Sequence, residues 1–146
     1  NPDAIGSAIA IKGPMGTGKT TLVKEGISKI LNRPFALIAL GGATDASVLE
    51  GHGYTYEGSV CGKIVDILMQ TQCMNPIIFF DELDKISDTQ KGEELSNLLC
   101  HITDKTQNMT FEDRYLNGVS IDLSRVTFIF SFNALKPIPK INLALL

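Results

Sequence analysis

Apolar and polar positions follow two rhythms along this chain. Short apolar runs recur, and most are followed by stretches in which apolar residues return every three or four positions. The first run, Ala8-Ile9-Ala10-Ile11, ends in a turn containing Gly and Pro. Behind it, Val23, Ile27, Ile30 and Leu31 fall at i, i+4, i+7 and i+8, the spacing of an amphipathic helix, which Asn32-Arg33-Pro34 closes. Phe35 to Leu40 reads as a second strand, and a second helix carries Ile64, Ile67 and Leu68 on one face. Pro76 then introduces Ile77-Ile78-Phe79-Phe80, four apolar residues in a row, as expected of a strand buried on both faces. Leu95, Leu98, Leu99 and Ile102 mark a third helix. Phe111 to Ile121 suits a short hairpin around Asn117-Gly118, and Val126 to Ser131 is a fourth central strand.

Strands alternating with helices predict an α/β fold with a largely parallel central sheet between helical layers. The chain of 146 residues is the size of one domain, with no repeat, low-complexity tract or linker-like stretch. A 44% hydrophobic content is enough for a single core. The formal net charge of −3 carries no polybasic signature, so nucleic acid is not indicated as a partner. No apolar run approaches the roughly 18 residues of a membrane span, and no signal peptide opens the chain. Cys61, Cys73 and Cys100 have neither zinc nor redox spacing and read as thiols in a reducing compartment, cytoplasmic or inside an organelle. The chain starts without Met and stops within the apolar Ala144-Leu145-Leu146, as expected of a piece of a longer protein.

The chemistry concentrates at three strand ends. Gly13-Pro14-Met15-Gly16-Thr17-Gly18-Lys19-Thr20 matches the G-x-x-x-x-G-K-[ST] phosphate loop in full, after a strand and before a helix. The glycines let backbone N–H groups converge on phosphate oxygens, and the helix N-terminus adds its positive dipole end. Lys19 is expected to reach the β- and γ-phosphates of ATP, and the Thr20 hydroxyl to ligate Mg²⁺. Asp81 ends the most apolar strand, where a carboxylate is costly without a compensating cation, and is the second expected Mg²⁺ partner. Glu82 is then placed to orient and deprotonate a water. A small-molecule kinase must exclude water, so the Asp81-Glu82 pair favours hydrolysis. Asn133, after the fourth strand, is expected to hold the same water from the other side.

These residues resemble the AAA+ superfamily. Asp81-Glu82-Leu83-Asp84-Lys85 is of a kind shared across its unfoldases. Further features resemble the ATPase domain of Lon proteases: Leu40-Gly41-Gly42, Asp45, Gly51-His52, Thr55-Tyr56, Gly58 and Gly62. Gln107-Asn108, Phe111, Asp113, Tyr115, Leu116 and Asn133 with Ile138-Pro139 do so as well. The resemblance runs from about Ile11 to the end and makes residues 1–146 an AAA+ core of the P-loop three-layer type, stopping before the fifth strand and helical lid. It implies a hexameric ring that pulls polypeptide substrates with ATP. Tyr56 falls at the aromatic pore-loop position, whereas Glu57 stands where such loops carry an aliphatic residue; a carboxylate there weakens an apolar grip. The arginine finger and the second sensor are expected beyond Leu146, and the Ser-Lys peptidase of Lon is not encoded in these residues. An AAA+ nucleic-acid machine of clamp-loader or helicase-loader type is the alternative, and it lacks the segment from His52 to Gly62. An inactive nucleotide-binding scaffold is a third reading, opposed by the intact Lys19 and Glu82. His52 is expected in structural hydrogen bonding, and the sequon at Asn108-Met109-Thr110 is read as chance.

Overall fold

The computed structural model describes residues 5–14, 18–41, 45–53 and 57–133. Four strands, β1 (Ala8–Lys12), β2 (Phe35–Ala39), β3 (Ile77–Asp81) and β6 (Thr127–Phe132), form one parallel sheet in the order β1-β6-β3-β2. The apolar run at residues 77–80 takes a central place and is fully buried, as its composition demands. Its alternate side chains feed two separate cores. Ile77 and Phe79 face Val23, Ile27, Ile129 and Phe35 on one side. Ile78 and Phe80 join the larger cluster on the other side, where Phe80 stacks on Phe130 at 5.0 Å between ring centroids. The result is three layers, with one helical stretch over the first face and the remaining helices over the second.

That first stretch, α1 (residues 19–31), departs from its sequence pattern. Its middle, Leu22–Ile27, is wound as π-helix, and the Ser28 N–H reaches back five residues to the Val23 carbonyl. The wider winding shifts the phase of everything downstream. Val23 is fully buried and Ile27 packs beside it, but Ile30 is 83% exposed and Leu31 47%, so the expected apolar face is only half built.

On the opposite face lie α2 (Ala46–Glu50), α3 (Lys63–Thr71) and α4 (Gln90–Thr103). Ile64, Ile67 and Leu68 of α3 are buried in the larger core, as are Leu95, Leu99 and Ile102 of α4, while Leu98 packs at its margin. The short α2 has too few turns for a periodic signal; the Asp45 side chain caps it by accepting from the Ser47 N–H at 2.9 Å. The hairpin is present but small: β4 (Phe111–Glu112) pairs with β5 (Ser120–Ile121), antiparallel. Asn108 is 6% exposed and its Nδ2 donates to the Ile102 carbonyl at 3.3 Å, so the amide of its sequon faces the interior.

Candidate nucleotide site

Parallel pairing brings the carboxyl ends of the strands to one side of the sheet. Lys12 is level with Phe132, Phe80 with Phe130, and Ala39 with Asp81. Chain leaving β1 therefore meets chain leaving β6, and the Gly13 N–H donates to the Phe132 carbonyl at 3.2 Å. Gly18 adopts φ 78°, the left-handed region where a side chain would be strained, and its carbonyl accepts the Leu22 N–H at 2.9 Å to start α1. Lys19 and Thr20 stand half-buried in that first turn. The Lys19 ammonium folds back over the loop, 2.5 Å from the Gly13 carbonyl and 3.3 Å from that of Phe132. Pro14 is exposed beside them, while Met15, Gly16 and Thr17 lie outside the described residues.

Asp81 closes β3 with its carboxylate held in place. Oδ1 accepts from the Ser131 hydroxyl at 2.5 Å and from the Glu82 N–H at 2.9 Å. Glu82 has φ 62° and ψ 41°, a left-handed conformation that costs a non-glycine residue about 1–2 kcal/mol. Such strain persists where surrounding structure imposes it, and here it turns Glu82 out of the strand direction. Its Oε1 takes a 2.5 Å contact from the Lys85 ammonium, one turn on. That hydrogen bond is the main cause raising the Lys85 pKa above its ordinary value, with the charges of Glu82, Asp84 and Asp81 adding to it. Asn133 follows β6, and its N–H donates to Asp84 Oδ1 at 3.3 Å, tying the end of β6 to the turn after β3.

Ser131 is the site residue that pattern reading passes over. It is 1% exposed after the apolar run Phe128-Ile129-Phe130, and the register that pairs Phe80 with Phe130 sets it beside Asp81. A hydroxyl directly after such a run, one step beyond a register partner of the acidic strand, was the available signal. Glu57 is exposed in the connection between α2 and α3; Tyr56 lies outside the described residues. A cavity of about 590 Å³ opens elsewhere, lined in part by Glu50, Leu98, His101, Phe111 and Arg114. It holds none of the phosphate-loop or acidic-pair residues, so chemistry and not concavity marks the strand-end site.

Residues 9–145 match the model of the family "ATPase family associated with various cellular activities (AAA)". The chain belongs to this family. Its curated relatives include a peroxisomal Lon protease homolog 2 from Oryza sativa subsp. indica, 44% identical over 94% of the chain. A Lon protease of Clostridioides difficile is 42% identical over 92%, and a mitochondrial Lon protease homolog of Yarrowia lipolytica 42% over 92%. The chain spans 15%, 17% and 11% of the length of these relatives, respectively.

For an AAA ATPase domain the strand-end donors suit a magnesium nucleotide. Thr20 and Asp81 offer a hydroxyl and a carboxylate, the hard oxygen ligands that Mg²⁺ takes alongside phosphate. Among the described residues both hydrogen bonds to Asp81 use Oδ1, and Oδ2 is the oxygen that suits a cation. Among the described residues Lys19 holds backbone carbonyls, partners it can exchange for phosphate oxygens. Among the described residues no helix is long and apolar enough to cross a membrane.

Proposed function

We propose that this domain hydrolyses Mg·ATP at the strand-end site and that, within a Lon-like homo-hexameric ring, hydrolysis moves polypeptide. Residues 1–146 are its P-loop core. In this reading the backbone of residues 13–18 cradles the phosphates, Lys19 neutralises the β- and γ-oxygens, and Thr20 and Asp81 hold Mg²⁺. The metal would supply charge stabilisation on the phosphate oxygens. Glu82 takes the proton of the attacking water, after Lys85 yields part of its hold on the carboxylate. Asn133 orients that water from the neighbouring strand. The observation that carries the reading is the acidic pair at the end of β3, with Asp81 clamped by Ser131 and Glu82 turned outward.

Polypeptide is the favoured cargo because similarity to Lon proteases runs across 92–94% of the chain, through the segment between α2 and α3 that nucleic-acid loaders lack. Peroxisomal and mitochondrial relatives fit a compartment inside a cell or organelle. Tyr56 is assigned the grip and Glu57 a weakening of it. In the full-length assembly, Tyr56→Ala should keep basal ATP hydrolysis but abolish unfolding of a folded protein substrate, and Glu57→Ile should maintain or improve unfolding. Unfolding at the wild-type rate by Tyr56→Ala would remove Tyr56 from this role, and stimulation by DNA but not by protein would favour the loader alternative.

A further inference from the structure

Asp113 is wholly buried, yet the nucleotide site makes no use of it. It follows β4, at the base of the hairpin. Its Oδ1 accepts from the Tyr115 N–H at 2.8 Å and the Leu116 N–H at 3.3 Å, which shapes the turn out of β4. Its Oδ2 accepts from the Gly62 N–H at 2.6 Å, on a different crossover of the fold. Gly62 is the residue before α3, and Gly51 follows α2, so the two mark the ends of one connection.

Those two ends meet under the carboxylate. A Cβ on Gly62 would lie 2.0 Å from the Leu49 carbonyl oxygen, and one on Gly51 would lie 2.8 Å from Asp113 Oδ1 and 2.9 Å from the Gly62 nitrogen. Backbone thus touches backbone at both positions, closer than any side chain permits. The neighbouring residue strengthens the same junction from outside: the Arg114 N–H donates to the Glu50 carbonyl at 2.7 Å, and its guanidinium pairs with the Glu50 carboxylate at 2.7 Å. Among the described residues, the hydrogen bonds and ion pair of 113–114 that cross to the neighbouring connection land on Glu50 and Gly62, with Gly51 packed against the same carboxylate.

We infer that Asp113 is a positioning residue that latches the neck of the 51–62 connection to the 111–121 hairpin, so that the two open and move as one unit. The consequence for polypeptide handling rests on the function proposed above; the latch itself does not. It links the crossover leaving β2 to the crossover entering β6, and those two strands flank β3 and its acidic pair. A displacement of the connection by a cargo is therefore delivered, across the β4–β5 pair, to the segment that leads into β6.

The test uses the full-length assembly. In the wild type, native-state amide exchange should give Gly62, Tyr115 and Leu116 a common opening constant, within about threefold, since groups of one cooperative unit open together. Gly62 exchanging more than about tenfold faster than Tyr115 would overturn the latch. Asp113→Asn is the isosteric variant: an amide has only one acceptor oxygen, so either Gly62 or the Tyr115 pair loses its partner and faces an N–H instead. Exchange at the deprived amides should accelerate by about ten- to a hundredfold. Basal kcat and KM for ATP should stay at wild-type values while protein-stimulated hydrolysis falls at least threefold, by estimate about the loss of one such contact. A variant that loses basal and stimulated rates in parallel would reduce Asp113 to a fold-stabilising role and overturn the positioning claim. If Asp113→Asn does not fold, the wild-type exchange comparison decides. If protein fails to stimulate the wild type, the proposed cargo is wrong, and exchange still decides the latch.

Discussion

Replacing Ser131 by Ala removes one hydroxyl and little else, because the side chain is 1% exposed and the methylene remains. Asp81 then keeps only the Glu82 N–H on Oδ1, at 2.9 Å, having lost the 2.5 Å bond across the sheet. With Ser131 in place, Oδ1 is held from two sides, and in the proposed site Oδ2 is the oxygen left to the cation. With Ala in place, the carboxylate regains rotational freedom that ion binding must remove again, a cost of about 0.5–1.5 kcal/mol. That corresponds to an affinity for Mg·ATP weaker by about two- to twelvefold. The metal-free component of ATP binding, which rests on Lys19 and the loop backbone, should not change. Calorimetric titration of ATP into the full-length assembly, with Mg²⁺ and with EDTA, separates the two components. Ser131→Thr keeps a hydroxyl and should stay closer to the wild type than Ser131→Ala. The reasoning fails if Ser131→Ala leaves the Mg²⁺-dependent increment untouched, or if Ser131→Thr loses as much as Ser131→Ala.

Two further outcomes are expected. Lys19→Ala removes the cation assigned to the phosphates, a charge-assisted contact of about 1.5–3 kcal/mol, so ATP affinity should fall by about ten- to a hundredfold in the same titration. Asp45→Ala deletes the cap of α2 and should cost about 0.5–2 kcal/mol in urea unfolding at neutral pH. Hydrogen bonding from the Ser47 side chain, aided by its backbone N–H, holds the Asp45 carboxyl below the ordinary value of 3.8. A depressed folded-state value means that the stabilisation is complete above 3.8 and is lost as pH falls through the lower one, so wild type and Asp45→Ala should converge only in strong acid.

Much of this architecture was legible in the residues because burial and periodicity agree there. Four consecutive apolar residues at 77–80 can satisfy themselves only between two layers, and that is where β3 lies. The strand before the phosphate-loop motif and the helix after it were legible because that motif's chemistry demands a fixed spacing between the two. The misreadings have physical causes as well. Ile30 and Leu31 follow a π-helical segment, and a count at 3.6 residues per turn carries no knowledge of that winding. The cap on α2 stood in plain view as Asp45, but five residues are too few to display a face. Ser131 was hidden for a different reason, and so was the role of Asp113, which the residues mark only through a family resemblance. A polar residue in an apolar setting declares its importance only through its partner, and Asp81 and Gly62 lie 50 and 51 residues away in the chain. Long-range pairing of that kind follows from register and topology, which become readable once the strand order is known.

The central claim is that Asp81 and Glu82 divide the work between holding the metal nucleotide and activating water, and Glu82→Gln tests it most directly. Gln is isosteric and can still accept from Lys85, so the outward turn at residue 82 should survive, while its amide cannot take a proton. In the full-length assembly, Mg·ATP should bind to Glu82→Gln as it does to the wild type, and hydrolysis should slow by about 10²–10⁴. Hydrolysis at the wild-type rate, with nucleotide bound normally, would contradict the assignment of Glu82 as the base and with it the division of roles at the end of β3.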